Sequence, residues 1–449
     1  MMLTCRLWTG SSVLLALALL GSSVSNAQEV LRLPTTAHTQ PVASAPADAQ
    51  RDELLELVNK AIDVTKRRQL TAGVHTPWQI VHGILAMRHD FILKTPEGGE
   101  ISAIDWMASG VLHDGLPLFE VTPYGGRGHP FTKPYAFEGH PTQFMGYMSM
   151  SDLPLDFVFK AGKDGKDKVT VADIINDAKM QVKEGPEITW TLWALTHYLP
   201  PDAQWLNAAG EPWSIERMVQ IQIRESVLTS ACGGTHGLFA LSYARNKYIA
   251  TRKPLRGVWL EADQKIQRYI TEARALQNSD GSFSAAYFRG AQHSTDFATR
   301  LPANGHILEW LMIALEERRL SEPWVRKGVA SVAQDLIDNR KTPADCGPLY
   351  HALHALNLYN YRVNPAAGDF GRRPIARQQE AEEQQAENEE ASRTTSANEG
   401  PAANDAPAEK EASELNLGRR PFGNTPPEIA SPTRRPLPAD ERVIPSGAE

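Results

Sequence analysis

The sequence predicts an all-α protein, an (α/α)6 toroid in which six helical hairpins follow one another around a ring. Six segments of 11 to 14 residues are apolar nearly all round, as buried helices are, and their first residues lie 64, 47, 47, 70 and 42 positions apart. Most of them follow a segment whose apolar residues recur at helical spacing on one face. Successive hairpins of this kind close into a ring or a solenoid, and six of them fit a ring.

The six apolar segments are predicted to be the inner helices of the ring. Each opens on polar or turn-forming residues and then becomes apolar, so that each should begin near the same mouth. They are TPWQIVHGILAM from Thr76, HPTQFMGYMSM from His140, EITWTLWALTHYL from Glu187, GTHGLFALSYA from Gly234, NGHILEWLMIAL from Asn304 and CGPLYHALHALNLY from Cys346.

Amphipathic segments upstream of the apolar ones are predicted to be the outer helices. Two candidates have a weaker pattern, at Ile101–Leu112 and Trp213–Thr229. The other four show one apolar stripe each, which places their apolar side chains on a single helix face. The stripes are Leu54, Leu55, Val58 and Ile62; Val171, Ile174, Ile175, Ala178 and Val182; Ile266, Tyr269, Ile270 and Ala273; and Val325, Val329, Val332 and Leu336.

One insertion interrupts the helical pattern at residues 116–139. The stretch from Leu116 to Gly139 contains too much glycine and proline for a helix, and Leu118–Thr122 has the composition of a short strand. A loop or β-hairpin over one mouth of the ring is therefore expected here.

The chain is predicted to have four parts. Residues 1–27 resemble a secretory signal peptide, with one basic side chain, the apolar run Val13–Leu20 and small residues before a cleavage point after Ala27. Residues 28–50 should be a disordered linker and residues 51–362 the toroid domain. Residues 363–449 should be a disordered, acidic, low-complexity tail. We therefore expect an exported, soluble protein, periplasmic or extracellular, without a stable membrane anchor.

The net charge of the chain is −7, and nearly all of the excess lies in the tail, which carries 16 acidic and 10 basic residues. The folded part is close to neutral, which argues against a nucleic-acid partner. The tail contains GRRP at Gly371–Pro374 and Gly418–Pro421 and TRRP at Thr433–Pro436. These repeats are interpreted either as part of a solvated linker or as docking peptides for a protein partner.

The motif QNSDGSF at Gln277–Phe283 resembles the Q-x-x-D-G-S-W/F signature of the terpenoid cyclase and protein prenyltransferase superfamily of α-α toroids. It occurs once, with Phe283 at the position that is usually tryptophan. The resemblance implies a toroid in which this motif ties an outer helix to the next turn. The catalytic D-x-D-D and D-D-x-x-D motifs are absent from the chain, so cyclase or prenyltransferase activity is not expected.

Polar residues recur at the predicted starts of the inner helices, where free N–H groups favour anions. A cavity with this lining is the expected ligand site, either for a small molecule or for an oligosaccharide. The candidate cavity residues are His75, His82, Glu187, Trp190, Trp310 and His351. The candidate catalytic residues, as acid–base or ligand-positioning groups, are His140, His236, His306 and their carboxylate partner Glu309.

A zinc site is a second hypothesis for the same mouth. Cys232, His236, Cys346 and His351 offer nitrogen and sulfur ligands. The resemblance adds little, because prenyltransferases bind zinc through Asp-x-Cys whereas Asp345 and Cys346 are adjacent here. Free thiols are expected rather than a disulfide, because the two cysteines open helices that are not neighbours.

Three function classes remain open on these observations. If the protein is an enzyme, a carbohydrate-active hydrolase or lyase is favoured, because tryptophan rings can stack on sugars and paired acid–base groups can cleave them. The second class is a non-catalytic binding or scaffold module that uses the cavity and the Arg-Arg-Pro motifs. The third class is a cyclase-like enzyme, which is not expected because the chain has no D-x-D-D motif.

Overall fold

A computed structural model describes the backbone of residues 45–129, 135–185 and 188–364, with side chains from residue 53 onward. This part of the chain is mostly helical and contains twelve α-helices and five short strand pairs. The helices are α1 Ala45–Lys66, α2 Pro77–Met87, α3 Ala103–Ala108, α4 Gln143–Met148, α5 Val171–Gln181, α6 Ile188–Tyr198, α7 Ile215–Arg224, α8 Thr235–Ala250, α9 Val258–Ala275, α10 Phe297–Ala314, α11 Pro323–Asp338 and α12 Cys346–Val363.

The even-numbered helices pack in a continuous order. Helix α2 contacts α4, α4 contacts α6, α6 contacts α8, α8 contacts α10, α10 contacts α12, and α12 returns to α2. The odd-numbered helices pack on their even neighbours and on one another, as α1 does on α11 and α7 on α9. The even helices are buried on most sides, which explains why their sequences are apolar nearly all round.

The apolar stripes of the outer segments are largely confirmed. Every stripe residue is buried except Leu55 and Tyr269, which are half-buried against the core. The weaker candidates also form helices, α7 within Trp213–Thr229 and α3 within Ile101–Leu112. Helical periodicity therefore located these helices, since the face that is buried is the face that repeats.

Five antiparallel strand pairs add to the predicted helices. They are β1 Ile92–Lys94 with β2 Glu100–Ser102, β3 Leu112–His113 with β4 Leu116–Pro117, β5 Phe119–Thr122 with β6 Gly125–Gly128, β7 Val158–Ala161 with β8 Asp167–Thr170, and β9 Gln204–Leu206 with β10 Pro212–Ser214. Only the hairpin β5–β6 was predicted, in the insertion. Three of the others have only two or three residues per strand, and β7–β8, although as long as β5–β6, was not identified from the sequence.

Three of these hairpins lead directly into outer helices. Strand β2 is followed by α3, β8 by α5 and β10 by α7. In each case the last strand residue caps the helix, because the side-chain oxygen of Ser102, Thr170 or Ser214 accepts from a backbone N–H in the first turn. The hairpins are thus built into the outer layer.

Two predicted boundaries differ from the structure. Helix α1 begins at Ala45, inside the segment predicted as a linker. Helix α10 begins at Phe297, capped by Asp296, although its apolar segment was predicted to start at Asn304. Pro302 lies inside α10 and His306 therefore sits in the helix interior, not at its N-terminus. The predicted signal peptide and tail, and most of the predicted linker, lie outside the described residues.

The QNSDGSF motif ties three helices together at one turn. The Gln277 side chain donates to the carbonyl oxygens of Gly281 and Trp324 at 2.9 Å, which joins the end of α9 to α11. The backbone N–H of Phe283 donates to Asn304 of α10 at 2.7 Å. Gly281 has a φ of +92° and a Cβ there would lie 2.5 Å from the carbonyl oxygen of Lys327.

Gly281→Ala is therefore expected to lower the free energy of unfolding by about 2–4 kcal/mol, because it adds a backbone clash to an unfavourable φ. Urea denaturation monitored by circular dichroism measures this. Gly98→Ala is the matched control, since Gly98 has a φ of +87° but nothing within 4 Å of an added Cβ, and about 1–2 kcal/mol is expected. Equal losses in the two variants would show that the contact with α11 is unimportant.

Candidate functional site

Four histidines from different even-numbered helices meet inside the molecule, and we call them the histidine cluster: His82 of α2, His236 of α8, His306 of α10 and His351 of α12. The ring centroids of His306 and His351 lie 4.0 Å apart, and those of His236 and His306 lie 4.9 Å apart. His236 is 5.1 Å and His82 5.3 Å from the ring of His351. The packing order of the helices thus converts residues far apart in sequence into one site.

A tyrosine and a carboxylate extend this cluster. The Tyr147 hydroxyl of α4 lies 3.3 Å from Nε2 of His82 and 3.3 Å from Nε2 of His351. On its other side, His351 Nδ1 donates to Glu309 Oε2 at 2.8 Å, and His354 Nδ1 donates to Glu309 Oε1 at 2.6 Å. Glu309, His351 and Tyr147 therefore form a continuous hydrogen-bonded chain.

Burial dominates the electrostatics of the site. It lowers the pKa of His82 and of His236 well below the ordinary value, and neighbouring histidines lower both further. The pKa of His306 falls to about 3 for the same two reasons. Burial also raises the pKa of Tyr147 well above its usual range. His82, His236 and His306 are therefore neutral at pH 7, and Tyr147 is protonated.

Glu309 is the fixed negative charge of the site. Burial alone would raise the pKa of this carboxyl, but attraction to His351 and the hydrogen bonds from His351 and His354 outweigh burial and hold it well below its usual range. Both oxygens of Glu309 are engaged, so its role is to orient the two imidazoles. The carboxylate partner predicted for His140, His236 and His306 thus contacts two other histidines.

Cys232 joins the cluster from the turn before α8. The ligand atoms of Cys232, His236 and His306 all lie within 4.8 Å of one another. His306 Nδ1 is bonded to the carbonyl oxygen of Pro302 at 2.7 Å, which leaves Nε2 available. Cys346 opens α12 and does not belong to this group in the described part of the chain. Neither cysteine forms a disulfide there, as expected.

Aromatic side chains surround the cluster. The Trp190 ring lies 4.8 Å from that of His236, 4.9 Å from Tyr147 and 5.8 Å from His140. Trp78 lies 4.0 Å from the ring of His82 and is itself covered by Tyr135, which is 67% exposed. Trp78 and Tyr135 therefore separate His82 from solvent.

Two cavities lie beside the cluster. One of about 270 Å³ between α6 and α8 is lined by His140, Trp190 and His236. The other, of about 490 Å³, is lined by His140 and by Glu138, whose pKa burial raises to about 8. His140 therefore borders both cavities from outside the cluster. A larger cavity of about 590 Å³, lined by Tyr248 and Trp259, lies away from the cluster.

The remaining predicted residues lie elsewhere. His75 is half-buried in the turn before α2, and its Nδ1 lies 2.9 Å from the backbone nitrogen of Thr71. Trp310 is fully buried and donates to Ser242 at 3.1 Å, which is a core contact between α10 and α8. Glu187 lies outside the described residues.

Tyr147 was missed by the sequence analysis. It lies one helical turn beyond Gln143 on α4, and therefore on the same face of that helix. Polar side chains one turn into each apolar segment were therefore a usable signal. A tyrosine in an apolar segment rich in aromatic residues is normally interpreted as a core residue, because packing is its usual role there.

The comparisons with known proteins add no assignment. The chain matches no protein-family model, no curated protein and no solved structure. Among the described residues, no helix combines the length and apolar character that crossing a membrane requires.

Proposed function

We propose that helices α1 to α12 form an exported (α/α)6 toroid that acts as a polysaccharide lyase. The toroid is supported by the closed order of contacts from α2 through α12 back to α2, and by the amphipathic helices outside it. Export rests on the signal-peptide pattern of residues 1–27, and the Arg-Arg-Pro repeats stay candidates for a protein partner. Both lie outside the described residues.

One observation carries the lyase proposal: the Tyr147 hydroxyl stands between two histidine nitrogens at 3.3 Å, and one of them is oriented by Glu309. In serine hydrolases a carboxylate–imidazole–hydroxyl chain removes the hydroxyl proton and makes the oxygen a nucleophile, and the same removal of the proton would let the Tyr147 oxygen act as a base. His351 takes the hydroxyl proton through Nε2, and Glu309 stabilises the resulting imidazolium.

The chemistry that fits is β-elimination next to a uronate carboxylate. The Tyr147 oxygen takes the proton from the carbon beside the carboxylate while its own proton moves to His351. The carbon–oxygen bond to the next sugar then breaks and a carbon–carbon double bond forms. Tyr147 gives the abstracted proton to the departing oxygen, and His351 returns the hydroxyl proton, so the site ends as it began.

The number and position of the carboxylates in the site favour a lyase over a glycoside hydrolase. Hydrolysis needs two carboxyl groups that flank the scissile bond. In the described part of the chain, Glu309 is the carboxylate of the cluster, and both its oxygens are bonded to histidines. The buried Glu138 borders a separate cavity and accepts from the backbone N–H of Phe144 at 2.8 Å.

A binding module is the second candidate, and burial favours it. Tyr147 and His351 are at most 1% exposed, so a substrate reaches them only when the side chains packed around them move. A protein that only binds a ligand at its mouth would not need this movement.

Tyr147→Phe tests the proposal. The full chain is incubated with a panel of uronate-containing and neutral polysaccharides, and unsaturated products are followed by ultraviolet absorbance and new reducing ends by a colour reaction. Removal of the hydroxyl should lower kcat by at least about 100-fold with little change in KM, because it removes the acid–base group. Tyr350→Phe is the matched control, since Tyr350 is equally buried but its hydroxyl bonds to the carbonyl oxygen of Arg68.

Three outcomes would contradict the lyase. Full activity in Tyr147→Phe would remove the proposed base. Reducing ends without unsaturated product would indicate a hydrolase. Binding of an oligosaccharide without turnover would establish the binding module instead.

A further inference from the structure

We propose that Cys232, His236 and His306 bind a zinc ion, a site that goes beyond the proposed lyase chemistry and does not depend on it. One thiol and two imidazoles converge from two neighbouring helices, with their ligand atoms within 4.8 Å of one another. The ligand atoms of a tetrahedral zinc site lie roughly 3.3–3.8 Å apart, so side-chain movements of about 1 Å would close the spacing.

The orientation of His306 fits a metal ligand. Its Nδ1 donates to the carbonyl oxygen of Pro302 at 2.7 Å, which fixes the ring and directs Nε2 towards His236 and Cys232. Metal-binding histidines usually donate their other ring nitrogen to a carbonyl or carboxylate oxygen in this way.

The second, independent observation is an unsatisfied nitrogen. His236 Nε2 is buried and has no hydrogen-bond partner among the described residues. Buried polar atoms are nearly always paired, and an exception calls for an explanation such as an ion. A zinc ion between His236, His306 and Cys232 would satisfy this nitrogen.

The backbone before α8 is shaped to bring Cys232 to this position. Cys232 and Gly233 adopt left-handed conformations with φ of 50° and 60°. The ring of Tyr287 lies directly against the Cα of Gly233, where a Cβ would overlap it. Tyr287 therefore holds the turn, and only glycine fits at position 233.

The donor set selects the metal and its role. Sulfur and imidazole nitrogen together favour zinc over magnesium or calcium, which prefer oxygen ligands. Three protein ligands leave one tetrahedral position for a ligand oxygen, as in catalytic zinc sites. His236 also lines the cavity of about 270 Å³, so the fourth position is close to a space where an anionic ligand could enter.

This ligand set differs from the one predicted by sequence, which combined Cys232 and His236 with Cys346 and His351. His351 is already engaged by Glu309 and Tyr147. If the set proposed here binds zinc, substitution of His306 should weaken binding and substitution of Cys346 should not. If the set predicted from sequence binds zinc, the reverse should hold.

The test uses the full chain, purified without chelator, with zinc measured by elemental mass spectrometry and affinity by competition with a chromophoric chelator. One zinc per chain is expected. Cys232→Ser and His306→Gln should each weaken binding by more than about 100-fold, since even residues that only orient a ligand are worth 10–100-fold. Cys346→Ser is the matched control and should retain zinc, as should Tyr147→Phe.

Cobalt gives a readout that needs no activity. Replacement of zinc by Co²⁺ should produce a thiolate-to-cobalt charge-transfer band that disappears in Cys232→Ser and persists in Cys346→Ser. Circular dichroism of each variant distinguishes ligand loss from unfolding. Absence of zinc binding by the native chain, or equal loss of zinc in Cys346→Ser and Cys232→Ser, would overturn this site.

Discussion

Replacement of Glu309 by alanine is expected to lower the free energy of unfolding by about 3–5 kcal/mol, because it removes two hydrogen bonds to a charged acceptor and leaves a cavity. Glu309 is 2% exposed and accepts from both His351 and His354. Without it, two buried Nδ1–H groups lose their acceptor and a cavity remains. Urea denaturation at pH 7.5, with chelator present, measures the change.

Two further variants make this result interpretable. Glu309→Gln keeps the side-chain volume and one acceptor oxygen, so its free energy of unfolding should fall by only about 2–3 kcal/mol. This loss measures the contribution of the negative charge and of the second hydrogen bond. Glu316→Ala removes a nearby exposed carboxylate that pairs with Arg318, and less than about 1 kcal/mol is expected. A Glu309→Ala variant as stable as Glu316→Ala would mean that the buried contacts do not support the fold.

Acid is expected to destabilise the protein well above the range in which carboxyl groups titrate. Burial holds the pKa of His82 and of His354 below the unfolded value of about 6.5, so the unfolded chain takes up protons first as the pH falls. The stability they contribute is fully present above pH 6.5 and is lost below it. His82, whose folded pKa lies well below this range, should cost up to about 1.4 kcal/mol per pH unit, and His354 adds a loss in the same direction.

Glu309 adds a second loss at lower pH. Its folded pKa is depressed, so its contribution is present above the unfolded value of about 4.3 and disappears as the pH falls further. Since single domains are stable by about 5–15 kcal/mol, we expect these losses to unfold the protein only below about pH 5. Urea midpoints from pH 7.5 to 4.5, with chelator present, follow the loss.

His82→Gln isolates one histidine. This variant should be less stable at pH 7.5, but its stability should fall less steeply below pH 6.5, by about 1.4 kcal/mol per pH unit. Parallel curves for the native chain and the variant would show that His82 is not held neutral by the fold. Stability that is constant from pH 7.5 to 5 would contradict the electrostatic description of the cluster.

The candidate site was only partly predictable. Cys232 and His236 were identified because they precede an apolar helix, and His82, His306, Glu309 and His351 because they recur in equivalent segments. Their partners were not identified. Glu309 contacts His351 and His354 because α10 packs closely against α12, and no property of the sequence of either helix states which faces meet.

The start of α10 was also predicted wrongly from the sequence, although only neighbouring residues determine it. The apolar segment at Asn304 looked like a helix start, because polar and turn-forming residues precede it. The helix begins at Phe297 because Asp296 caps it and accepts from the backbone N–H of Thr299 at 2.8 Å. Pro302 is tolerated inside it, and its carbonyl oxygen binds His306.

The amino-acid order alone was sufficient for the helical class and for the apolar stripes, because burial of one helix face leaves a periodic record along the chain. The β-hairpin in the insertion was predicted from its glycine, proline and strand-forming residues, and the four other hairpins were not predicted. Which histidines lie within hydrogen-bonding distance of one another's partners was decided only by the tertiary structure, because hydrogen bonds depend on ångström distances between helices that are remote in sequence. Tyr147, His82 and His351 come from three helices, and their chemistry exists only where those helices meet.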